Sequence, residues 1–253
     1  MIQIGVGFQP TNAPLDGNHV TAQGLHGVLF HVLQQADARG ATWLHKHPAP
    51  KPYTLTPYYD TEAGALAGIR LTAVSEPAAR LLSAAWQAAR RDRWPLRIGH
   101  APFTVRDVAV IPGDAFETLI AAPPEPRVGL RFLSPTAFRQ GPGHLPLPLP
   151  RNVFNGPWRV WNSYAPATLS LPSDWLDWCA ADVFVVRHDI HTAAVTISHR
   201  EPPFVGFVGE VVFEARAEAL LYLSTLQALA RLAPYCGVGH KTTMGMGAVE
   251  TLA

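Results

Sequence analysis

The sequence is poor in cysteine and in charged residues. Its 253 residues include only two cysteines, Cys179 and Cys236. Two cysteines are too few for a disulfide framework, and their separation excludes a CxxC metal-binding pair. Charged residues make up 15% of the chain and hydrophobic residues 48%. This balance excludes a globally disordered chain, because disorder requires low hydrophobicity and high charge.

Long hydrophobic runs and an excess of one charge are also missing. No apolar run reaches the roughly 18 residues that a membrane span needs, and Met1–Ile4 lacks the basic start of a signal peptide. The 20 basic and 19 acidic residues leave a net charge of +1. This charge excludes a uniformly basic nucleic-acid-binding surface, although a local patch stays open. The sequence therefore predicts a globular, cytoplasmic protein with no membrane partner.

Basic residues are distributed unevenly. No aspartate or glutamate occurs between Glu125 and Asp174, and a second basic stretch spans 90–97. The acid-free stretch contains five arginines: Arg127, Arg131, Arg139, Arg151 and Arg159. Arginine without nearby carboxylates suits phosphate better than internal ion pairs. A solvated surface would look the same, so composition alone leaves nucleic-acid binding undecided.

Hydrophobic periodicity predicts two successive β-α-β-β-α-β units. The predicted elements of the first are strands at 2–8, 53–56, 69–74, 96–98 and 103–111, with helices at 20–36, ended by Gly40, and at 76–91. Those of the second are strands at 128–133, 183–186, 193–198, 207–214 and 247–252, with helices at 153–164 and 217–232. This order is typical of the ferredoxin-like fold, an α+β class with helices on one face of an antiparallel sheet. The proline-rich residues 112–126 are predicted to be a linker between domains at 1–122 and 127–253.

A glycine-rich segment joins the last predicted helix to the last strand. Residues Gly237–Gly247 follow the pattern G-h-G-x5-G-h-G, where h is hydrophobic. The segment follows a helix instead of opening one, which excludes a Rossmann fingerprint. It also lacks the GK[ST] ending of a phosphate-binding Walker loop. Glycines here let the backbone adopt positive φ or approach a ligand closely.

These segments together resemble a known family. The loop Gly237–Gly247 resembles the signature of the RAMP superfamily of CRISPR-associated RNA proteins. Within it, Leu25–Phe30 followed by Trp43–His45 resembles the first helix and catalytic-histidine segment of the endoribonuclease that processes CRISPR precursor RNA. Phe132–Arg139 and Gly206–Gly209 resemble segments of its second domain.

The resemblance implies two tandem ferredoxin-like domains of the RAMP type and a cytoplasmic, metal-independent endoribonuclease. Such an enzyme cleaves CRISPR repeat RNA by attack of a 2′-OH, which leaves a 2′,3′-cyclic phosphate and a 5′-OH, and needs no cofactor. The expected partner is CRISPR repeat RNA or crRNA. A CRISPR effector complex and a homodimer are left open.

The resemblance also implies site residues. His45 falls on the catalytic histidine and Lys51 on a lysine of the active site in some members. Phe30 stands where some members have a catalytic tyrosine, so His31 or His26 would substitute, or the site works with His45 and Lys51 alone. An imidazole titrates near neutral pH and suits the proton transfers of RNA cleavage. The expected RNA-binding residues are Gly237, Gly239, His240, Lys241, Gly245, Gly247, Arg131, Arg139 and Arg159.

Two alternatives come from other functional classes. One is a non-catalytic, crRNA-binding RAMP subunit of a CRISPR effector complex, which would need no imidazole at position 45. The other is a metal-dependent hydrolase that uses histidines at 26, 31, 45 and 47. The absence of an HExxH motif, and of any acid between Asp37 and Asp60, disfavours the hydrolase.

Overall fold

The computed structural model describes residues 1–17, 20–60, 62, 64–217 and 219–252. The chain divides into two compact units. The first comprises residues 1–113, 195–203 and 243–245, and the second comprises 114–194, 204–242 and the chain from Met246 onward. Two short segments late in the sequence therefore belong to the first unit. Domain boundaries at 1–122 and 127–253 remain a prediction.

The first unit is built on a five-stranded sheet. Its elements are β1 (Ile2–Pro10), α1 (Ala22–Ala36), α2 (Ala38–Lys46), β2 (Tyr53–Tyr59), β3 (Leu66–Ala73), α3 (Glu76–Arg91), β4 (Leu96–Ile98) and β5 (Ala101–Pro112). The strand order is β2-β3-β1-β5-β4, and the paired strands run antiparallel. The order β2-β3-β1-β5 is that of a ferredoxin-like domain, with β4 added at one edge.

Amphipathic helices cover one face of this sheet. Helix α1 buries Leu25, Leu29 and Val32, which recur at three- and four-residue spacing. Helix α3 buries Trp86, whose ring centroid lies 6.2 Å from that of Phe8 in β1. The two apolar helix faces and the inward side chains of the sheet form one hydrophobic core. Packing in this core fixes the position of α1, and therefore the positions of the residues on α1.

The junction between α1 and α2 differs from the prediction. The first helix was predicted at 20–36 and α1 does end at Ala36, but Gly40, expected to stop it, lies inside a further helix, α2. The carboxylate of Asp37 accepts hydrogen bonds from the backbone N–H groups of Arg39 at 3.0 Å and Gly40 at 2.9 Å. It therefore caps a new helix that periodicity did not predict. This helix carries His45.

The second unit repeats the topology with insertions. Its elements are α4 (Phe116–Ile120), β6 (Arg127–Thr136), β7 (Phe138–Gln140), β8 (Gly143–Leu145), α5 (Pro150–Tyr164), α6 (Trp175–Asp182), β9 (Val183–Val195), β10 (Phe204–Ala215), α7 (Leu220–Cys236) and β11 (Val249–Thr251). The main sheet has the order β11-β6-β10-β9, and β7 and β8 form a separate ribbon. This is again the ferredoxin-like order, so the predicted fold class of two such domains is confirmed.

Two details of the second half differ from the prediction. Residues 183–198 were expected to form two strands, but β9 is one strand of 13 residues. The expected linker at 112–126 contains α4. Helix α4 buries Phe116 and Leu119, so tertiary burial stabilises a five-residue helix that has little intrinsic stability. In the part of the chain that the structure describes, no helix is both long and apolar enough to span a membrane.

Candidate active site and nucleic-acid interface

Helices α1 and α2 bring two histidines together. His26 lies on α1 and His45 in the last turn of α2, with ring centroids 6.4 Å apart. Phe30, one turn after His26 on the same face of α1, contacts both rings at centroid distances of 4.7 and 5.1 Å. Leu44, beside His45, is fully buried and holds α2 against the core. The histidine pair, His26 and His45, is therefore a product of helix packing.

The start of α1 is anchored on both sides. The hydroxyl of Thr21 caps it by accepting a hydrogen bond from the N–H of Gly24 at 3.0 Å. The N–H groups of Ala22 and Gln23 donate to the carbonyls of Thr196 and Ile197, in the late segment that belongs to the first unit. These bonds satisfy N–H groups that a helix start leaves without a partner. They fix the turn of α1 that precedes His26.

The two imidazoles have different surroundings. His26 is half-buried, and burial lowers its pKa; the positive charges of His45 and Lys51 lower that pKa further. Most of the His26 population is therefore neutral at pH 7 and can accept a proton. The side chain of His45 is exposed to solvent. The pair combines a neutral proton acceptor with an accessible imidazole.

Lys51 closes the end of α2. Its ammonium donates hydrogen bonds to the carbonyl oxygens of His45 at 2.7 Å, His47 at 2.6 Å and Leu44 at 3.4 Å. An ammonium has three donors, and the last carbonyls of a helix lack partners within the helix. Burial also lowers the pKa of Lys51. Lys51 thus fixes the helix end that bears His45.

The other expected histidine is placed differently. His31, one residue after Phe30, is exposed and has no ring contact with His45 within the described chain. His47 contacts the ring of Trp43 at a centroid distance of 5.3 Å. Across residues 1–17, 20–60, 62, 64–217 and 219–252, no three His, Cys, Asp or Glu side chains group as a metal site would require. Of His26 and His31, only His26 joins His45.

Tyr53 is a part of this cluster that sequence reasoning missed. It is buried in β2, its ring centroid lies 6.5 Å from that of Phe30, and its hydroxyl is hydrogen-bonded to the side chain of Thr243. Burial raises the pKa of Tyr53, so the phenol stays neutral. No local pattern marks this residue, because residues 30, 53 and 243 are distant in sequence. Tyr53 therefore packs against Phe30.

The glycine-rich segment is a tight loop. Gly237, Gly239, Gly245 and Gly247 all have positive φ, between +68° and +98°. The N–H of Val238 donates to the carbonyl of Gly247 at 2.8 Å and closes the loop. Three of the glycines, Gly237, Gly245 and Gly247, are buried. These glycines shape the loop, and His240 and Lys241 at its tip are half-buried.

A second histidine pair lies beside that tip. The rings of His240 and His144 stack with centroids 5.2 Å apart. The backbone N–H of His240 donates to the carbonyl of Ala137 at 2.9 Å. His144 lies on β8 and is the cross-strand partner of Arg139 on β7. Burial lowers the pKa of His240, and the charges of His144, Lys241 and Arg139 lower it further. Sequence reasoning missed His144, because the β7–β8 ribbon was not predicted.

The arginines of the acid-free stretch separate into two groups. The expectation that they lack carboxylate partners is wrong for Arg131, which pairs with Glu210 at 2.7 Å and Glu250 at 3.0 Å. Arg127 and Arg151 are also paired with acids. Strand β6 lies between β10 and β11, whose glutamates stand in register beside Arg131. A stretch without acids in sequence is therefore not acid-free in space.

Two arginines have no carboxylate partner among the described residues, as expected. Arg139 on β7 and Arg159 on α5 are exposed, and neither has an ion pair with any residue that the structure describes. Together with His240 and Lys241 they form the unpaired basic part of the predicted RNA-binding set. An exposed guanidinium without a carboxylate is free to bind phosphate.

The fold and one sequence segment connect this chain with known proteins. The family model of the CRISPR-associated endoribonuclease Cas6 matches residues 130–249. A Cas6 product complex matches with a TM-score of 0.83 and 25% identity, over 99% of this chain and 99% of that chain. A second one matches with a TM-score of 0.80 and 25% identity, over 100% of both chains. The segment at 130–249 therefore matches the Cas6 family, and the whole chain is similar to solved Cas6 structures.

The predicted resemblance to the RAMP endoribonucleases is thus confirmed. Cas6 of Thermus thermophilus also matches, with a TM-score of 0.75 and 24% identity over 99% of this chain and 98% of that one. No curated protein sequence matches this chain. The family match at 130–249 covers the loop and the β7–β8 ribbon of the Cas6-like protein. The histidine pair lies outside that match.

Proposed function

We propose that this Cas6-like protein is a metal-independent endoribonuclease that cleaves CRISPR repeat RNA in precursor crRNA. The 2′-OH attacks the adjacent phosphate, which yields a 2′,3′-cyclic phosphate and a 5′-OH. The observation that carries the proposal is the pair of imidazoles at 26 and 45, held together by two packed helices. The Cas6 family match and the two Cas6 product complexes support RNA as the substrate.

Each imidazole performs one proton transfer. His26, neutral because its pKa is lowered, takes the proton of the 2′-OH as the new O–P bond forms. His45, exposed to solvent, donates a proton to the 5′-oxygen as the old P–O bond breaks. One proton is accepted and one is donated, so the protein ends with the same number of protons. His31 has no part in this scheme.

Lys51 acts as a positioning residue in this proposal. Its three donors are used on backbone carbonyls at the end of α2, which leaves none for a phosphate oxygen. The ammonium holds His45 at a fixed distance from His26. Its positive charge also favours the neutral form of His26. Phe30 keeps the two rings apart without a proton of its own to transfer.

The RNA strand binds at the unpaired basic groups in this proposal. His240 lies close to Lys241, Arg139 and His144. Arg159 adds a positive charge without an ion pair on α5. The buried glycines contribute by shaping the loop that presents His240 and Lys241. The paired Arg131 contributes less, because its charge is already compensated.

Cleavage in excess chelator tests the proposed function. We expect repeat RNA to be cut once, at full rate, with products that carry a 2′,3′-cyclic phosphate and a 5′-OH. A single 2′-deoxy substitution at the cleaved nucleotide should prevent cleavage, because the nucleophile is removed. Tight binding without cleavage would instead favour the non-catalytic crRNA-binding subunit, and loss of activity in chelator would favour the metal-dependent hydrolase.

The pH dependence of cleavage tests the role of His26. The lowered pKa of His26 keeps the base unprotonated until the pH falls below about 6.5, the ordinary value for histidine. On the acid side of the profile, the rate should therefore begin to decline only below that pH. His26→Gln should reduce the rate on the order of 10²-fold and remove this decline. His31→Gln is the matched control on the same helix. A larger loss of rate in this control would assign the role of base to His31 instead of His26.

The salt dependence of RNA affinity tests the basic groups. Replacing Arg139 and Arg159 by glutamine should flatten the slope of log affinity against log salt by about 0.7 for each phosphate contact with single-stranded RNA. Arg131→Gln and Lys51→Met serve as controls, because their charged groups are engaged inside the protein. We expect both controls to keep the wild-type slope. A flattened slope in the Lys51 variant would show direct phosphate contact and contradict its positioning role.

A further inference from the structure

The first unit contains a concave surface separate from the histidine pair, which we call the arginine cleft. Its volume is about 780 Å³, and four arginines line it together with Gln9 and Gln87. The four come from the end of α3, the turn that follows and strand β5: Arg90, Arg91, Arg93 and Arg106. Among the described residues, no aspartate or glutamate lines the cleft, and none of its lining residues belongs to the histidine pair.

The cleft carries uncompensated positive charge. Arg91 and Arg106 are each paired with the aspartate that follows in the chain, at 2.9 and 2.6 Å. Arg90 and Arg93 are exposed, and neither forms an ion pair within the part of the chain that the structure describes. Two guanidinium groups at one cleft are therefore available to an anionic ligand.

Helix stabilisation accounts for only some of these arginines. Arg90 and Arg91 lie in the last turn of α3, where positive charge interacts favourably with the helix dipole. Arg93 lies beyond the helix and has a φ of +49°, a left-handed conformation that favours glycine at this place after a helix. Arg106 belongs to β5. The sequence thus has an arginine where glycine would fit with less strain, and that arginine lines the cleft.

We propose that the arginine cleft binds the phosphodiester backbone of RNA, at a stretch of the strand other than the one at the histidine pair. This inference rests on the proposed function. Guanidinium, amide and hydroxyl groups are the donors that bind phosphate and sugar in nucleic-acid interfaces, and the cleft offers all three, the hydroxyl being that of Thr104. A strand held there would extend the interface beyond the cleaved segment.

The experiment measures RNA affinity against salt in a cleavage-deficient His45→Ala background. The test variant carries Arg90→Gln and Arg93→Gln. The control carries Arg70→Gln and Arg80→Gln, two exposed arginines of the same unit outside the cleft. With a long precursor RNA, the test variant should flatten the salt slope by about 1.4, or about 0.7 for each of two contacts, and the control should not. With RNA cut down to the segment around the cleavage site, the difference should vanish.

Each other outcome overturns the inference. An unchanged slope with long RNA, or an equal change in the control, would mean that the cleft does not bind RNA. A difference that persists on the shortest RNA would place the cleft at the cleaved segment. Inorganic phosphate that binds the parent but not the variant, with the RNA slope unchanged, would assign the cleft to a small anion. Cleavage is measured separately with His45 intact, so a wild-type protein that binds but does not cleave would overturn only the proposed function.

Discussion

His45→Ala is expected to abolish cleavage of repeat RNA while RNA affinity stays within a few-fold of the wild-type value. The loss of one general acid or base lowers the rate on the order of 10²–10⁴. That loss corresponds to about 3–5 kcal/mol of transition-state stabilisation. The side chain is exposed, so its removal leaves no cavity and should not change the melting temperature. Single-turnover cleavage with protein in excess measures the effect.

His47→Ala provides the matched control for this variant. His47 follows α2 directly, and its ring contacts Trp43 rather than His26. We expect it to cleave at nearly the wild-type rate. If His45→Ala kept more than about a tenth of the wild-type rate, His45 would not act as an acid or base.

Gly247→Ala is expected to destabilise the protein strongly. Gly247 has a φ of +68°, and a Cβ at this position would lie 1.9 Å from the carbonyl oxygen of Val238. The left-handed conformation costs an alanine about 1–2 kcal/mol, and relieving the overlap adds about 1–3 kcal/mol. The free energy of unfolding should therefore fall by about 2–5 kcal/mol. Thermal and urea unfolding measure the change.

Gly141→Ala separates these two causes. Gly141, in the β7–β8 turn, has a φ of +55°, but a Cβ there would have no atom within 4 Å. Its expected cost is only the conformational part, about 1–2 kcal/mol. Equal destabilisation of the two variants would contradict the overlap at Gly247. RNA affinity of the folded Gly247→Ala protein should fall less than that of Lys241→Ala, since Gly247 is buried.

The elements predicted from local pattern match best where the hydrophobic face is strongly periodic. Helix α3 has the predicted bounds, Glu76–Arg91, because its apolar stripe and Pro77 in the first turn agree with one another. Helix α2 was missed because its nine residues bury only Ala41 and Leu44. So weak a stripe gives no clear periodicity. Helix α2 forms because Asp37 caps it and α1 packs against it.

The candidate site could be predicted only in part. His45 was identified from a resemblance, but nothing in the sequence distinguished His26 from His31. The distinction follows from the face of α1 that meets α2, where His26 and Phe30 lie and His31 does not. The stacked partner of His240 was missed for the same reason. His144 and His240 are 96 residues apart and meet through the fold.

By itself, the sequence determined the class of the fold and the need for glycine in the last loop. Both are local properties, because strand and helix periodicity and the backbone freedom of glycine act over a few residues. The tertiary structure alone decided which histidine joins His45, and which arginines remain free of carboxylates. Those choices depend on helix packing and on strand register, as at Arg131 between Glu210 and Glu250, which join residues far apart in the chain.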